Sequence, residues 1–384
     1  MVEIKNKTDC CGCHACYNVC PKNAIEMKED EKGFKYPVID KDKCINCGLC
    51  EKVCPISNNK KEVEKNIRVY ACYNKNEKER INSSSGGIFI LLAKEIIKQG
   101  GVVFGACLDE RFNVIHTYAE KEEDLKKFMG SKYVQSVIGN TYKEAKKFLD
   151  DGKIVLFTGT PCQIEGLKSY LQKDYENLYT QDLICHGVPS PMVWNKYKKY
   201  RENTDKDNIK EVSFRNKDNG WKNYNVKFTY SNKNYRETSE NDLFMQAFLR
   251  NTVLRDSCYA CNFKKKYRES DITLADFWGV ERELPEIDDN KGISIVVLHS
   301  ENGNKLFELI KDKLEYKQIE FEQFIKYNPS MIKSSPVDKN RESFFKNINV
   351  LEFNKNVKKN TAQTPIYIRC VNKAKSIIKK IINK

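Results

Sequence analysis

Two copies of one cysteine pattern constrain this chain more than anything else in it. CCGCHACYNVCP contains Cys10-x2-Cys13-x2-Cys16-x3-Cys20-Pro21, and CINCGLCEKVCP repeats it as Cys44-x2-Cys47-x2-Cys50-x3-Cys54-Pro55. Intervals of two residues let three thiolates turn around one corner of an iron–sulfur cube, while the cysteine three residues further on points away and ligates the other cube. The spacing therefore predicts one 4Fe-4S cluster on Cys10, Cys13, Cys16 and Cys54, and a second on Cys44, Cys47, Cys50 and Cys20. Small residues at Gly12, Ala15 and Gly48 keep the wrap tight. Zinc also accepts four thiolates, but its motifs rarely carry this run twice over with a following proline. Cys11 falls outside the pattern and reads as a bystander. Two such clusters store and pass electrons, so any chemistry on an organic substrate must lie elsewhere in the chain.

At 384 residues the chain has room for one large domain or two to three smaller ones. No run approaches the roughly 18 uninterrupted apolar residues of a membrane span, and MVEIKNKTDC leads into the cysteines without an apolar signal segment. A cytoplasmic location is expected, where thiols stay reduced and free to ligate metal. The formal charge of +14 raises the question of nucleic acid. Lys and Asn are abundant all along the chain, however, and no recognition helix, RNA-binding signature or Cys-His finger spacing is present, so no nucleic-acid partner is expected.

The cysteine-rich start reads as a ferredoxin-like domain over residues 1–57. The polar stretch SNNKKEVEKNIR follows it, giving a linker over 58–67. From RVYACY onward short β-rich runs alternate with helical patterns: GGIFILLAKEIIKQ as a helix, GVVFGACL as a buried strand, EEDLKKFM as a short helix, TYKEAKKFLDDG as a helix ending at Gly152, and KIVLFTG as another strand. This alternation predicts a mixed, partly parallel α/β sheet over 68–330. An added antiparallel set is expected over 211–238, and GISIVVLHS is expected to close the sheet. Residues 331–384 read as a basic C-terminal extension, expected to be helical in its last part: Tyr367, Val371, Ala374, Ile378 and Ile381 share one helical stripe. That stripe is expected to pack on its own domain, with contact to an anionic membrane surface as the weaker reading.

Four later cysteines stand out. Cys162 lies in TGTPCQIEGL, Cys185 follows an apolar run in DLICHGVP, and Cys258 and Cys261 form an x2 pair in CYACNFKK. On chemistry alone they could meet at one sheet edge to hold metal, or Cys162 could be a small buried apolar residue.

The stretches SSSGGIF, GGVVFGA, GSKYVQS, LFTGTPCQIEGL, DLICHGVPSP, CYACNFK and SDITLADFWG, in that order across residues 83–298, resemble the beta subunit of coenzyme F420 hydrogenases and dehydrogenases, a family of iron–sulfur flavoproteins. The resemblance implies that Cys162, Cys185, Cys258 and Cys261 hold a third 4Fe-4S cluster beside FAD. It also implies that Ser85, Gly86 and Gly87, which open a helix, approach the FAD pyrophosphate. Ser131, Lys132, Tyr133, Thr158, Gly159, Asp276, Trp278 and Gly279 are further cofactor candidates. Lys132, as a cation near a reduced flavin, and His186, as a proton relay, are the catalytic candidates.

No Walker-type loop and no GxGxxG opening a helix is present, so a dedicated dinucleotide domain is not expected. The expected activity is that of an iron–sulfur flavoprotein oxidoreductase. It would move electrons between a hydride carrier or reducible small molecule at FAD and a redox partner protein, either ferredoxin-like or a subunit of a complex. A ferredoxin-dependent reductase of a small organic substrate, a non-catalytic electron-transfer subunit and a regulatory metal-binding module are the other readings.

Overall fold

The two cysteine runs fold the N-terminal region around themselves, in a computed structural model that describes residues 2–59 and 61–361. β1 (Ile25–Glu29) and β2 (Lys35–Ile39) pair antiparallel with Ile25 opposite Ile39. Short helices Ala15–Val19 and Leu49–Lys52 close the two thiol runs. Each starts after a left-handed residue, His14 at φ 64° and Gly48 at φ 73°. That conformation turns the chain sharply where each helix begins.

Beyond residue 67 the strands are β3 (Arg68–Asn74), β4 (Val102–Leu108), β5 (Val114–Ala119), β6 (Val155–Thr158), β7 (Leu178–Leu183), β8 (Glu211–Asn216), β9 (Asn225–Thr229), β10 (Asn234–Thr238), β11 (Ile272–Asp276), β12 (Ser294–Leu298) and β13 (Leu314–Ile319). Eight of them form one sheet in the order β13-β3-β12-β11-β7-β6-β4-β5. Its centre, β4-β6-β7-β11, is parallel, and both flanks are antiparallel. Parallel neighbours need crossovers, which helices Thr141–Asp150 and Pro161–Leu171 supply on either side of β6. The inner strands VLFT and SIVVL are buried at every position, as continuous apolar runs covered on both faces should be. β8, β9 and β10 form the separate antiparallel set expected over 211–238. The expected mixed α/β architecture is thus observed.

Three details differ from the sequence reading. The sheet does not end at β12, because β13 pairs antiparallel with β3 at its edge. EEDLKKFM is a 3-10 helix over Glu122–Phe128. Residues 331–361 are built into the body of the protein: Phe344, Phe353 and Val357 are buried in an aromatic cluster with Trp194 and Tyr197, and the Phe353 and Tyr197 rings lie 5.3 Å apart. The stripe from Tyr367 to Ile381 lies outside the described residues. Residues 61–67 lack regular structure up to Ile67 but are fastened to the main body. The Tyr267 amide donates to Glu62 at 2.7 Å and Lys65 Nζ donates to the Arg268 carbonyl at 2.6 Å.

The N-terminal unit packs directly on the sheet's helices. Helix Ala15–Val19 contacts helix Pro161–Leu171, and Asn18 Nδ2 donates to the Gly139 carbonyl at 2.9 Å. Gly166 stands at the closest approach: a Cβ there would lie 2.8 Å from Cys13 Cβ and 3.0 Å from both Cys13 Sγ and the Tyr142 hydroxyl. Gly166→Val should therefore force the two units apart and cost about 1–3 kcal/mol, the usual penalty of overpacking. Anaerobic denaturant unfolding of the holoprotein measures this directly.

Candidate functional site

The thiols of the N-terminal unit fall into two groups. One small cavity is lined by Cys20, Cys44, Cys47 and Cys50, and another by Cys10, Cys13, Cys16 and Cys54 together with Cys11. In each, the fourth cysteine comes from the other run, the crossed arrangement that the x3 spacing demands. Backbone amides already face two of the sulfurs: Val2 N donates to Cys50 Sγ and Ala24 N to Cys20 Sγ, both at 3.3 Å. Such N–H donors favour an anionic sulfur and raise the potential of a cluster bound to it. Cys16 is within electrostatic reach of Cys50, so the two groups adjoin. Among the described residues no three His, Cys, Asp or Glu close around a point tightly enough for a single ion. Thiols spread around a cavity suit a multi-iron cube, in which each sulfur has its own iron.

A third group gathers at the carboxyl ends of the parallel strands. Cys162 is the second residue of helix Pro161–Leu171, whose N-cap Thr160 and third residue Gln163 form a reciprocal capping box. Thr160 Oγ1 lies 3.2 Å from Cys162 Sγ. Cys185 follows β7 by two residues, and Cys258 and Cys261 sit in and just after a 3-10 turn, Asp256–Ala260. Gly187 lets this turn approach: its φ is 154° and an added Cβ would lie 2.8 Å from Leu254 Cδ1 and 3.3 Å from Cys258 Cβ. The Val188 amide donates to Cys258 Sγ at 3.4 Å. Cys258 feels the charges of Cys185, Cys261 and Cys162, and burial plus this mutual repulsion push its thiol up; burial likewise pushes Cys185 up to about 12. Four thiols crowded in a dry site can ionise together only against a compensating positive charge, which is what an iron core provides.

Cys11, which falls outside the spacing pattern, has a defined place in the fold. It is buried, lines the cavity of the first group, and lies within electrostatic reach of both Cys13 and Cys162. Arg255 lies at the same junction, between Cys10 and Cys258. Sequence reasoning missed both.

Beside the third group opens a cleft of about 470 Å³ that lies over the ends of β6, β7 and β11. Crevices at the carboxyl ends of parallel strands are the usual binding site of open α/β sheets, and this volume suits a small-molecule ligand. Of the cofactor candidates, Ser85, Gly87, Ser131, Lys132, Tyr133, Thr158, Gly159, Asp276 and Trp278 line the cleft, with Tyr133 and Asp276 brought together on Arg215. His186 also borders it. Gly86 and Gly279 are not among the lining residues. The Gly86 amide donates to Ser294 Oγ at 2.9 Å, and a Cβ there would strike the Cys72 carbonyl at 2.6 Å, so this glycine serves packing against the sheet. Gly279, at φ 84°, makes room for the Tyr327 ring, which an added Cβ would approach to 2.5 Å. The N-cap of helix Ile88–Lys98 is Gly87 itself, and Ser85 Oγ donates to the Ile293 carbonyl at 2.9 Å.

The charged groups of the cleft are held firmly. Arg215 donates to both oxygens of Asp276 (2.9 and 3.1 Å) and to the Tyr133 hydroxyl (3.2 Å), and Trp221 Nε1 also donates to Asp276 at 2.9 Å. Trp221 stacks on Trp278 with centroids 4.9 Å apart. The Lys132 ammonium is turned onto the Lys127 and Met129 carbonyls (2.9 and 3.0 Å), and burial brings its pKa down to about 7. His186 Nε2 meets Asn251 Oδ1 at 2.6 Å. His116, missed in the sequence because it is one alternating position of β5, pairs Nε2 with the Thr158 carbonyl at 3.0 Å, and burial lowers its pKa to about 4. Among the described residues, three buried polar atoms of the cleft have no protein partner: His116 Nδ1, Gln181 Oε1 and Arg215 Nε. Buried polar atoms are rarely left unpaired, so the cleft is suited to a ligand with its own donors and acceptors.

Comparison with known proteins agrees with this architecture. Residues 9–58 match the family model described as a 4Fe-4S dicluster domain, and residues 152–323 match the one described as the C terminus of the coenzyme F420 hydrogenase/dehydrogenase beta subunit. The second match takes in all four cysteines of the third group, while the cleft wall from Ser85 to Tyr133 precedes it. A curated relative, "Coenzyme F420-dependent sulfite reductase" of Methanocaldococcus jannaschii, is 26% identical over 216 residues, covering 55% of this chain; the alignment spans 33% of that protein. Among solved structures, a chain of the F420-reducing [NiFe] hydrogenase complex from Methanosarcina barkeri is 16% identical with a TM-score of 0.48, covering 74% of this chain and 93% of the other. Among the described residues no helix is long and apolar enough to cross a membrane.

Proposed function

For a chain that joins a 4Fe-4S dicluster domain to a coenzyme F420 hydrogenase/dehydrogenase beta-subunit domain, we propose an oxidoreductase that moves electrons between a small hydride carrier in the cleft and a redox protein at the N-terminal unit, by way of three 4Fe-4S clusters. One observation carries this reading. The thiol groups follow one another in a series, each within electrostatic reach of the next: Cys185, which borders the cleft, with Cys162, Cys162 with Cys11, Cys11 with Cys13, and Cys16 with Cys50. The series ends at Cys47, which is exposed. Electrons that enter at the cleft have a dry route to the surface.

The cleft would hold FAD, with Ser85, Gly87, Ser131, Tyr133, Thr158 and Gly159 as its nearest walls. FAD when bound supplies the exchange between a hydride's electron pair and single electrons. The protein's own share is to orient and to manage protons. Lys132 Nζ, with a pKa near neutrality, can hold or release a proton beside the ring site; His116 stays neutral and offers Nδ1 as an acceptor. Arg215 fixes Tyr133 and Asp276 without itself being free to move. The family match and the sulfite reductase relative make reduced coenzyme F420 the first carrier to test, ahead of NADH.

Anaerobically purified protein should contain about twelve irons, counting four per cluster, together with one FAD. It should reduce viologen with reduced coenzyme F420 and not with NADH. About eight irons would remove the third cluster, absence of a yellow chromophore would remove the flavin, and full cofactor content without turnover by either donor would leave an electron-transfer subunit.

A further inference from the structure

Arg255 is a guanidinium with no exposed surface, placed between two sets of cluster thiols. Its Nε donates to the Cys10 carbonyl at 2.8 Å, Nη1 to Gln135 Oε1 at 3.0 Å, and Nη2 to the Lys35 carbonyl at 3.0 Å and to Cys10 Sγ at 3.5 Å. Its plane lies over the Tyr36 ring, 4.2 Å from the centroid. Its own carbonyl accepts from the Cys258 amide at 2.9 Å. Among the described residues no carboxylate pairs with it, and neighbouring Asp256 is bound to Arg341 instead at 2.9 Å. A buried cation without a counter-charge is costly and is seldom retained. The anionic candidates that face it are sulfurs: Cys10 directly, and Cys11 and Cys258 through space. Its field also reaches His14, a buried imidazole of the first thiol run, which burial and the Arg255 charge together keep neutral.

We propose that Arg255 is a positioning residue that sets the potential step between the third cluster and the Cys10 cluster, using the negative charge of both as its counter-ion. The inference rests on the three-cluster reading above. One electron leaves the third cluster and enters the Cys10 cluster; no bond or proton moves. Arg255 donates a hydrogen bond to a ligand sulfur on the Cys10 side only, and it reaches Cys258 only through space, so it favours the electron on the Cys10 cluster. Charge-assisted N–H donation to sulfur and burial are the levers by which proteins tune such centres. Gly12 belongs to the device, since a Cβ there would lie 2.9 Å from Arg255 Nη1.

EPR-monitored redox titration of Arg255→Met and Arg255→Lys tests this, with the three centres told apart by line shape. In Arg255→Met the reduction equilibrium of the Cys10 cluster should fall at least tenfold, about 59 mV for one electron. The third cluster should shift less, and the Cys20-Cys44-Cys47-Cys50 cluster should not move. Arg255→Lys, which keeps the charge and loses the planar fork, should recover part of the change. Unchanged potentials at full iron content would overturn the role of Arg255 and leave the three clusters standing, whereas about eight irons in the unmodified protein would overturn the reading beneath it. If Arg255→Met does not fold, protein labelled with 15N-arginine should show hyperfine coupling to the reduced Cys10 cluster in pulsed EPR. Absence of that coupling would overturn the proposal equally.

Discussion

A Cys258→Ser, Cys261→Ser double variant should bind about eight irons per chain in place of about twelve and should lose electron transfer from the cleft to an external acceptor. The two residues close one side of the third thiol group, and each is within electrostatic reach of Cys162. Neither contributes to the two N-terminal cavities. The signals of the paired N-terminal clusters should therefore persist, reducible by dithionite but no longer by a donor bound in the cleft. Cys11→Ser is the control that separates a ligand from a neighbour. It removes the thiol that lies between Cys13 and Cys162 in electrostatic reach of both, yet leaves four sulfurs in every group, so iron content should remain at the level of the unmodified protein. Iron loss in Cys11→Ser would mean that Cys11 is itself a ligand and that the sulfurs are divided differently among the three groups.

The N-terminal grouping was legible because the information is local: a ligand at every third position needs no knowledge of the fold. The central sheet was legible for a related reason, since VLFT and SIVVL are apolar runs broken only by Thr158 and Ser294 at their ends. The third thiol group was not legible from spacing. Its members are separated by up to about a hundred residues, and only the turn at Gly187 and the meeting of β7 with the capped helix at Cys162 bring them together; similarity to a family supplied what local rules could not. Arg255 and Cys11 escaped because burial is a property of the folded chain. One looks like any of the 67 basic residues and the other like an odd cysteine beside a motif. Gly86 and Gly279 stand apart from the other cofactor candidates, outside the lining of the cleft. Glycine next to a cofactor-type motif suggests close approach of a ligand, but the close neighbours are in fact the Cys72 carbonyl and the Tyr327 ring. Residues 331–361 looked like an extension because their apolar positions are sparse, yet Phe344, Phe353 and Val357 are all used against the aromatic cluster around Trp194.

Arg268→Met should cost about 3–5 kcal/mol of stability, the loss expected when one partner of a buried ion pair is removed and the other is left charged. Arg268 Nη1 meets Asp182 Oδ1 at 3.1 Å with both side chains almost wholly buried. The same guanidinium donates to the Leu183 carbonyl at 2.9 Å and the Met331 carbonyl at 3.3 Å. Asp182 also accepts from Thr273 Oγ1 at 2.5 Å, and Thr273 meets His299 Nε2 at 2.9 Å. Asp182 stands on β7 just before Cys185, and Arg268 follows the Cys258–Cys261 turn, so this pair holds the two halves of the third thiol group together. The variant should consequently lose iron toward about eight per chain as well as stability. Removing both charges, as Asp182→Asn with Arg268→Met, should recover part of the stability, because no isolated ion then remains in the interior. The pH dependence has a definite sign. Burial already raises the Asp182 carboxyl despite Arg268, and without the arginine it must rise further. Above the unfolded value of about 3.9, the folded variant then retains a proton that the unfolded chain has released. Its stability falls as pH increases through that window until the folded carboxyl ionises. Chemical denaturation of Arg268→Met should show a smaller deficit at pH about 4, near the unfolded carboxyl value, than at pH about 7. A deficit independent of pH, or no deficit at all, would mean that Asp182 finds its counter-charge elsewhere.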